Sequence, residues 1–389
     1  MPKEWNASAA VSPQRLTSLD ALRGFASLLV LFYHLDDVLV ARGAEPPFWG
    51  LGHGGARGVD LLFVLSGYVM GRLYLRDGAR KVSPADFLKQ RARRLLPAFW
   101  IVSVVALSLY LLGFGGADKA AKLEPWRLVA SFLLLPQDMP PLVNVSWFLV
   151  YEALFYALVA LALFKRRLGI GAIVAWQGLI LVLWIAGHPV GPSKAPGYLH
   201  PRSLGLGIGV VFALLGERLE RGGPLGLLRA AFVASAGLFL ANIIWEGIGE
   251  RDTHGVPIGL LDIAAGTMLL ASTSLERRCG SRAPGFLVGV GNMSYSVYLT
   301  HFATMTLIAA FVARVGMPLG MAGAVLCLAG AMLIGAGMHF GIDRPLQAAF
   351  RRRSAGSGAS PRKRGDGRRA VSVPTAVAAD RRTERHLPA

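Results

Sequence analysis

The chain has 389 residues, of which 53% are hydrophobic and 16% are charged, and its formal net charge is +18. Because a soluble domain carries about a quarter charged residues, this composition excludes an ordinary soluble protein and predicts a polytopic protein in a lipid bilayer. The basic surplus lies in the tail after Phe350 and in short loops, where it sets orientation and contacts anionic headgroups. It lacks the basic stripe with interleaved aromatic residues that indicates nucleic-acid binding.

Apolar blocks of about 20 residues, the length that crosses a bilayer, predict an all-α integral membrane protein with about ten transmembrane helices. The candidate spans are residues 18–40, 58–76, 95–114, 143–164, 168–187, 203–219, 225–245, 255–275, 292–313 and 318–340. A shorter apolar piece at 125–136 predicts an interfacial or re-entrant helix. Residues 1–15 and the basic segment 348–389 lack periodicity and are predicted to be disordered. The membrane domain is therefore predicted at 16–347.

Lysine and arginine are densest in the predicted loops at 77–94, 165–167, 217–224 and 275–283. Positive residues favour the cytoplasmic side of a membrane. We therefore predict that both termini are cytoplasmic.

Polar residues follow one face of the first predicted span. Arg23 and His34 are eleven residues apart, about three helical turns and roughly 16 Å, and Asp20 and Ser27 lie on the same stripe. Such a stripe in a membrane helix is costly unless a polar cavity receives it. The alternative for each residue alone is structural: His34 as a hydrogen-bonded core histidine and Arg23 as a snorkelling anchor.

The second span begins near Asp60 and contains Ser66. On the predicted topology Asp60 lies close to the outer interface, where it could orient His34 or a substrate hydroxyl. It could equally be an acid that interacts favourably with the helix N-terminus.

Further candidates lie in three later segments. Arg91 and Arg94 are one helical turn apart, so both could hold one phosphate group, although topogenic charge accounts for most such runs. Glu152 falls near the middle of the fourth span, where an unpaired carboxylate is costly; a structural partner would also satisfy it. The remaining polar and aromatic candidates are Trp147, Tyr295, Tyr298 and His301.

Several other patterns do not support a site. Two cysteines, Cys279 and Cys327, exclude a disulfide framework, and the eight scattered histidines form no metal-ligand pattern, so no metal is expected. The glycines at 205–209 lie inside an apolar span without a preceding strand, which predicts helix packing rather than a dinucleotide loop. His339 and Asp343 have three residues between them, unlike the soluble His/Asp acyltransferase motif.

Taken in chain order, these segments resemble the acyltransferase-3 family of polytopic membrane acyltransferases. The matching segments are Leu19–Gly24 with His34, Gly58–Tyr68, Arg91–Pro97, Ser146–Glu152, Ser294–His301 and Asp343–Pro345. The resemblance covers about residues 16–347. Phe148, Ala153 and Phe302 depart from common family residues, and Ala153 stands where many relatives have a second acid. Many relatives carry a fused extracytoplasmic esterase-like domain, and we expect this chain to be the stand-alone form without it.

The resemblance implies an O-acyltransferase, most often an O-acetyltransferase, of the inner (cytoplasmic) membrane. Acyl-CoA would be the co-substrate, with no bound cofactor, and the acceptor a hydroxyl of a carbohydrate or another envelope or secreted molecule. Under this hypothesis Arg91 and Arg94 hold the CoA phosphates and Arg23 helps to receive the donor. His34 is the general base, with or without a transient acyl-histidine, and Asp60 or Glu152 orients its imidazole.

Two other functional classes remain open from the residues alone. Intramembrane charge also fits a proton-coupled transporter or flippase of envelope precursors, although no convincing inverted repeat is present. A structural scaffold for an envelope assembly complex would tolerate neutral substitution of the same charged residues.

Overall fold

The computed structural model describes residues 16–76, 81–116, 118–187, 199–248 and 257–357, and these residues are helical between turns. Seven helical segments are long and apolar enough to cross a membrane: His53–Leu75, Pro84–Leu111, Asn144–Phe164, Arg166–Ile185, Leu225–Ile248, Gly285–Arg314 and Met321–Arg352. Long helices at Thr17–Val40, Leu204–Gly222 and Ile258–Cys279 also overlap predicted spans but are not among these seven. The all-helical architecture with multiple candidate membrane spans is thus confirmed, whereas the number of about ten spans stays a prediction.

The thirteen α-helices of the described residues are numbered in chain order. They are α1 Thr17–Val40, α2 Gly58–Met70, α3 Pro84–Leu111, α4 Lys119–Lys122, α5 Pro125–Phe132, α6 Trp147–Phe164, α7 Arg166–Ile185, α8 Leu204–Gly222, α9 Leu225–Ile248, α10 Ile258–Cys279, α11 Gly285–Arg314, α12 Met321–Met338 and α13 Arg344–Ser357. Short 3₁₀ turns lie at Pro47–Gly50, His53–Arg57, Asn144–Ser146 and Pro201–Ser203, and π-turns at Gly71–Leu75 and His339–Asp343.

The chain divides into two units, Met1–Ala348 and Ala349–Ala389, and the candidate site lies in the first. The predicted disordered segment at 1–15 lies outside the described residues. Of the predicted disordered segment at 348–389, the part up to Ser357 is the end of α13, and the rest lies outside the described residues.

Helix α3 begins well before the span predicted at residue 95, so the basic run predicted as a loop is helical. Ser83 caps the helix, because its Oγ accepts a hydrogen bond from the backbone N–H of Asp86 at 3.0 Å, and Pro84 occupies the first helical position. This start places Arg91 and Arg94 on a helix that continues into the apolar segment. The short helix α5 occupies the piece predicted to be interfacial or re-entrant.

Close helix crossings depend on glycine. A Cβ atom at Gly24 of α1 would lie 2.1 Å from the carbonyl oxygen of Leu287 on α11, and one at Gly291 would lie 1.8 Å from that of Asp20. The two backbones are therefore in direct contact, as small residues permit in membrane helices. In the same way Gly209 of α8 lies against α2, where its Cβ would be 2.1 Å from the carbonyl oxygen of Val64. The prediction that the glycines at 205–209 pack helices agrees with this contact.

Replacement of Gly291 by Ala should destabilise the protein by about 1–3 kcal/mol, the usual cost of overpacking a filled interface. The new methyl group meets a backbone carbonyl rather than a flexible side chain, so α1 and α11 must move apart. Gly289→Ala on the same helix is the matched control, because a Cβ there meets nothing within 4 Å. Thermal unfolding of purified protein in detergent measures both, and equal midpoints for the two variants would contradict the crossing.

Candidate active site

A cavity of about 160 Å³ lies between α1, α2, α3, α6 and α11. Its polar lining comes from all five helices, which are far apart in the sequence. The polar and aromatic-hydroxyl lining residues are Arg23, Ser27, Ser66, Arg91, Arg94, Glu152, Tyr156, Ser294, Tyr295 and Tyr298. Eight of them were predicted as site residues or as part of the polar stripe on the first helix, and a ninth, Ser294, opens the predicted segment on α11. The helix packing thus brings the donor-binding candidates and Glu152 to one cavity.

Arg91 is held by aromatic rings. Its guanidinium carbon lies 5.5–5.6 Å from the ring centroids of Tyr74, Phe87 and Tyr156, and its Nη2 donates a hydrogen bond to the Tyr74 hydroxyl at 3.0 Å. Aromatic faces attract a cation without neutralising its charge. Within the described part of the chain its Nε has no hydrogen-bond partner. Arg91 therefore presents a fixed positive charge to the cavity.

The other two lining arginines have carboxylate partners. Arg94 donates to Asp343 across 3.1 Å and lies over the ring of Tyr295, and Arg23 contacts Asp20 at 3.3 Å. A carboxylate partner fixes the direction of a guanidinium and offsets part of its charge. Of the three arginines, Arg91 is thus the one best suited to an incoming anion.

Glu152 is oriented by neutral donors. Its Oε1 accepts hydrogen bonds from the hydroxyls of Ser66 at 2.9 Å and Tyr156 at 2.6 Å, and the residue is 8% exposed. Donation to a carboxylate stabilises its charge, so these bonds offset part of the cost of burial. Tyr156 also contacts Arg91, which links the acid to the cationic wall.

The two tyrosines of α11 use their hydroxyls to connect helices. Tyr295 donates to the carbonyl oxygen of Leu95 on α3 at 2.7 Å, and Tyr298 donates to that of Val145 at 2.6 Å. Both rings line the cavity. Their predicted supporting roles stay predictions.

His34 does not line the cavity. It lies further along α1, about 10 Å beyond Ser27, and its ring centroid is 5.1 Å from those of His301 and Phe302 on α11. The His301 ring in turn lies 5.9 Å from that of Tyr298. The two histidines therefore form an aromatic layer next to the cavity, with Tyr298 between them and it.

Asp60 lies in a different charged cluster. It is fully buried, with Oδ2 3.3 Å from Arg57 and Oδ1 3.2 Å from Arg202. Arg57 also binds Glu246 through its Nε, at 2.9 and 3.0 Å. Asp262 lies close enough to Asp60 to interact electrostatically. Asp60 or Glu152 was predicted to orient the imidazole of His34. In the described structure both acids contact other side chains instead.

Replacement of Asp60 by Asn should lower the free energy of unfolding by about 3 kcal/mol, since removing one member of a buried ion pair leaves an uncompensated charge. Asp138→Asn is the control, because Asp138 pairs with Arg127 on the surface and its side chain is 73% exposed; such pairs contribute about 0–1 kcal/mol. Thermal unfolding in detergent separates the cases. An Asp60→Asn protein of wild-type stability that loses acyl transfer would instead favour an orienting role.

Trp147 and His200 belong to the same end of the bundle as Asp60. The Trp147 ring centroid lies 6.0–6.4 Å from those of Phe63, Tyr151 and His200 and does not line the cavity. Burial, together with the charge of Arg202, lowers the pKa of His200 to about 4, so this imidazole is neutral near pH 7.

The sequence prediction missed several residues that complete the site. Tyr74, Phe87 and Tyr156 surround Arg91. Asp343, named above in a terminal motif and for its spacing from His339 but not as a site residue, fixes Arg94. Aromatic residues close to a basic run are a signal that could have suggested the first three. The pairing of residues 94 and 343 has no signal in sequence spacing.

These features define a class: a helical, multi-pass membrane protein with a cavity between its helices that is lined by guanidinium groups and a carboxylate. The family profile described as an acyltransferase domain matches residues 16–339. The chain therefore belongs to the acyltransferase-3 family, and it is an acyltransferase.

Relatives agree with this assignment. The exopolysaccharide production protein ExoZ of Rhizobium meliloti (strain 1021) is 31% identical over 323 residues, which cover 79% of this chain and 94% of ExoZ. Protein 2 in the picA locus of Rhizobium radiobacter is 31% identical over 189 residues, 45% of this chain and 92% of that protein. The O-acetyltransferase OatA of Staphylococcus aureus is 24% identical over 75% of this chain and 51% of OatA. No solved structure matches the chain.

Proposed function

We propose that this acyltransferase transfers an acyl group, acetyl in the first instance, from acyl-CoA to a hydroxyl of a carbohydrate or another cell-envelope or secreted acceptor. The main support is Arg91, whose guanidinium faces the cavity without an ion-pair partner among the described residues. A guanidinium in that state suits a phosphate group, and CoA carries several phosphates. ExoZ is named for exopolysaccharide production and OatA for O-acetyl transfer, which supports the acceptor and acyl classes.

In this proposal Arg91 and Arg94 hold the donor phosphates and Arg23 lies further along the same wall. His34 removes the proton from the acceptor hydroxyl as the oxygen attacks the thioester carbonyl. The thioester C–S bond breaks, and the departing CoA thiolate takes up the proton. Because His34 lies beyond the cavity lining, the thioester end of the donor has to extend from the arginines past Tyr298 towards it.

The proposal places the protein in the inner membrane with both termini cytoplasmic. The cavity lies near the ends of α1 and α11 that hold Arg23 and Ser294, and acyl-CoA is a cytoplasmic metabolite. His34 and the acceptor would then lie towards the opposite side of the membrane. Cysteine-accessibility labelling of an introduced residue at either terminus, in intact cells and in inverted vesicles, tests this orientation.

The test of function uses purified protein in detergent with radiolabelled acetyl-CoA. We expect release of free CoA and transfer of label to a polysaccharide fraction as a base-labile ester, whereas a transporter or flippase has no turnover. In parallel, mass spectrometry compares envelope and secreted glycans from cells with and without the gene. Lack of acyl-CoA turnover together with unchanged glycan esters would overturn the proposal.

A further inference from the structure

His301 has a defined tautomer. Its Nδ1 lies 2.7 Å from the carbonyl oxygen of Tyr298 and 3.1 Å from that of Val297. A carbonyl oxygen can only accept a hydrogen bond, so Nδ1 carries the proton and donates it. A proton on Nε2 as well would give a buried imidazolium, and the side chain is 0% exposed, where a charge without a partner is costly. The neutral ring therefore has an unprotonated Nε2 with a free lone pair.

That lone pair has no hydrogen-bond partner among the described residues. Buried polar atoms in folded proteins nearly always have one, so a fully buried acceptor without a donor marks an unusual site. Nε2 lies on the side of the ring away from the backbone carbonyls that hold Nδ1. The imidazole of His34 is the nearest aromatic ring of another helix, with centroids 5.1 Å apart and planes inclined at 42°.

We propose that His301 is the positioning residue for His34: its Nε2 accepts a hydrogen bond from one ring N–H of His34. The other nitrogen of His34 then carries the lone pair that takes the proton of the acceptor hydroxyl. A hydrogen bond of this kind fixes the tautomer of an imidazole and raises its basicity. The inference rests on the proposed function and supplies the orienting group that Asp60 and Glu152 do not provide, since their contacts lie elsewhere.

We expect this bond to be long in the free protein and to shorten when the donor and acceptor occupy the site. Catalytic hydrogen bonds are often long or poorly aligned without substrate and become short in the complex. Rotation of the His34 ring about its last side-chain bond changes which of its atoms face the neighbouring imidazole, whose centroid is 5.1 Å away. Backbone bonds keep the His301 ring in place while this happens.

Several ionisable groups face this part of α11 in the described structure. His34 contributes from α1, Tyr298 from the same helix and Cys327 from α12, where its Sγ approaches the carbonyl oxygen of Met305. Arg42, at the end of α1, donates to the carbonyl oxygen of Thr306. Tyr298, Cys327 and Arg42 donate to backbone carbonyl oxygens. Of these groups, His34 is thus the one that the packing offers as a donor to Nε2 of His301.

The matched variants are His301→Asn and His301→Gln. The Asn amide occupies the place of Nδ1 and can keep the bonds to the backbone carbonyls, but it offers nothing at Nε2. The Gln oxygen occupies the place of Nε2 and can accept from His34. We expect His301→Asn to lower kcat by about 100-fold with KM for acetyl-CoA unchanged, and His301→Gln to recover about tenfold of that loss. Thr304→Ala, which removes a hydroxyl bonded within α11, is the control and should stay near wild type.

A purely structural role gives the opposite order, because His301→Asn preserves the backbone bonds and His301→Gln does not. Wild-type kcat in His301→Asn, or a lower kcat in His301→Gln than in His301→Asn, would overturn the proposal.

A second readout does not depend on the reaction. Diethyl pyrocarbonate acylates an imidazole lone pair, and mass spectrometry measures modification of His34 in the full-length protein. We expect the modification rate to fall about fivefold in His301→Asn and to recover in His301→Gln, since the hydrogen bond raises the basicity of His34. If wild-type protein had no acyl-CoA turnover but this pattern held, the proposed function would fail while the histidine contact stood. Equal rates of His34 modification in wild type, His301→Asn and His301→Gln would show that His301 and His34 form no such hydrogen bond.

Discussion

Replacement of His34 by Gln is expected to lower kcat for acyl transfer by about a thousandfold, within the range of about 10²–10⁴ that a positioned general base contributes. Gln keeps the approximate shape of the side chain and can form hydrogen bonds, but it cannot take up a proton near neutral pH. The packing against Phe302 and His301 on α11 is therefore largely retained. Initial rates of CoA release with saturating acetyl-CoA and acceptor measure the change.

His53→Gln is the matched control for this substitution. His53 lies on the turn that precedes α2, and its ring centroid is 6.0 Å from that of Tyr33, the neighbour of His34 on α1. His53 does not line the cavity. Its turnover should stay within about threefold of wild type, because exchange of a histidine outside the site changes only local packing. Normal turnover in a folded His34→Gln protein would exclude a general base at this position.

Much of the fold follows from the sequence through one energetic rule. Apolar blocks of bilayer length predict membrane helices, and charged residues inside them are costly, so Arg23 and Glu152 mark a polar interior. In the structure, residues from α1, α2, α3, α6 and α11, including Arg23 and Glu152, line one cavity. Their roles in catalysis stay predictions. The cost of burying charge in a membrane predicts that these residues share a polar cavity, but it does not predict the catalytic role of each residue.

What the sequence could not supply is the partner of each charged group. Asp60 could be placed near the start of a helix, but five α-helices, α3 to α7, separate it in the chain from its partner Arg202, and no spacing rule links the two. The same is true of Arg94 with Asp343 and of His34 with His301. These pairings depend on how helices cross, and the crossings depend on glycines such as Gly24 and Gly291, whose close contacts become visible only in three dimensions.

Replacement of Arg91 by Gln is expected to raise the KM for acetyl-CoA by about 10- to 100-fold. A hydrogen bond to a charged group contributes about 1.5–3 kcal/mol, and every 1.4 kcal/mol is about tenfold in affinity. Arg91→Lys should also weaken binding, because an ammonium group loses the planar contacts with Tyr74, Phe87 and Tyr156. Arg93→Gln is the control, since Arg93 lies on the same helix and outside the cavity lining.

A comparison of CoA derivatives locates the phosphate that Arg91 binds. Two losses of affinity are measured. The first is the loss when wild-type protein binds dephospho-CoA, which lacks the 3′-phosphate, instead of CoA. The second is the loss when the Arg91→Gln variant, instead of wild type, binds CoA. If Arg91 contacts that phosphate, the two losses are not additive, because each removes one partner of the same interaction. If it contacts the pyrophosphate, they add. Unchanged KM and CoA affinity in Arg91→Gln, with the protein folded, would mean that this aromatic-held guanidinium has a structural role and that the donor binds elsewhere.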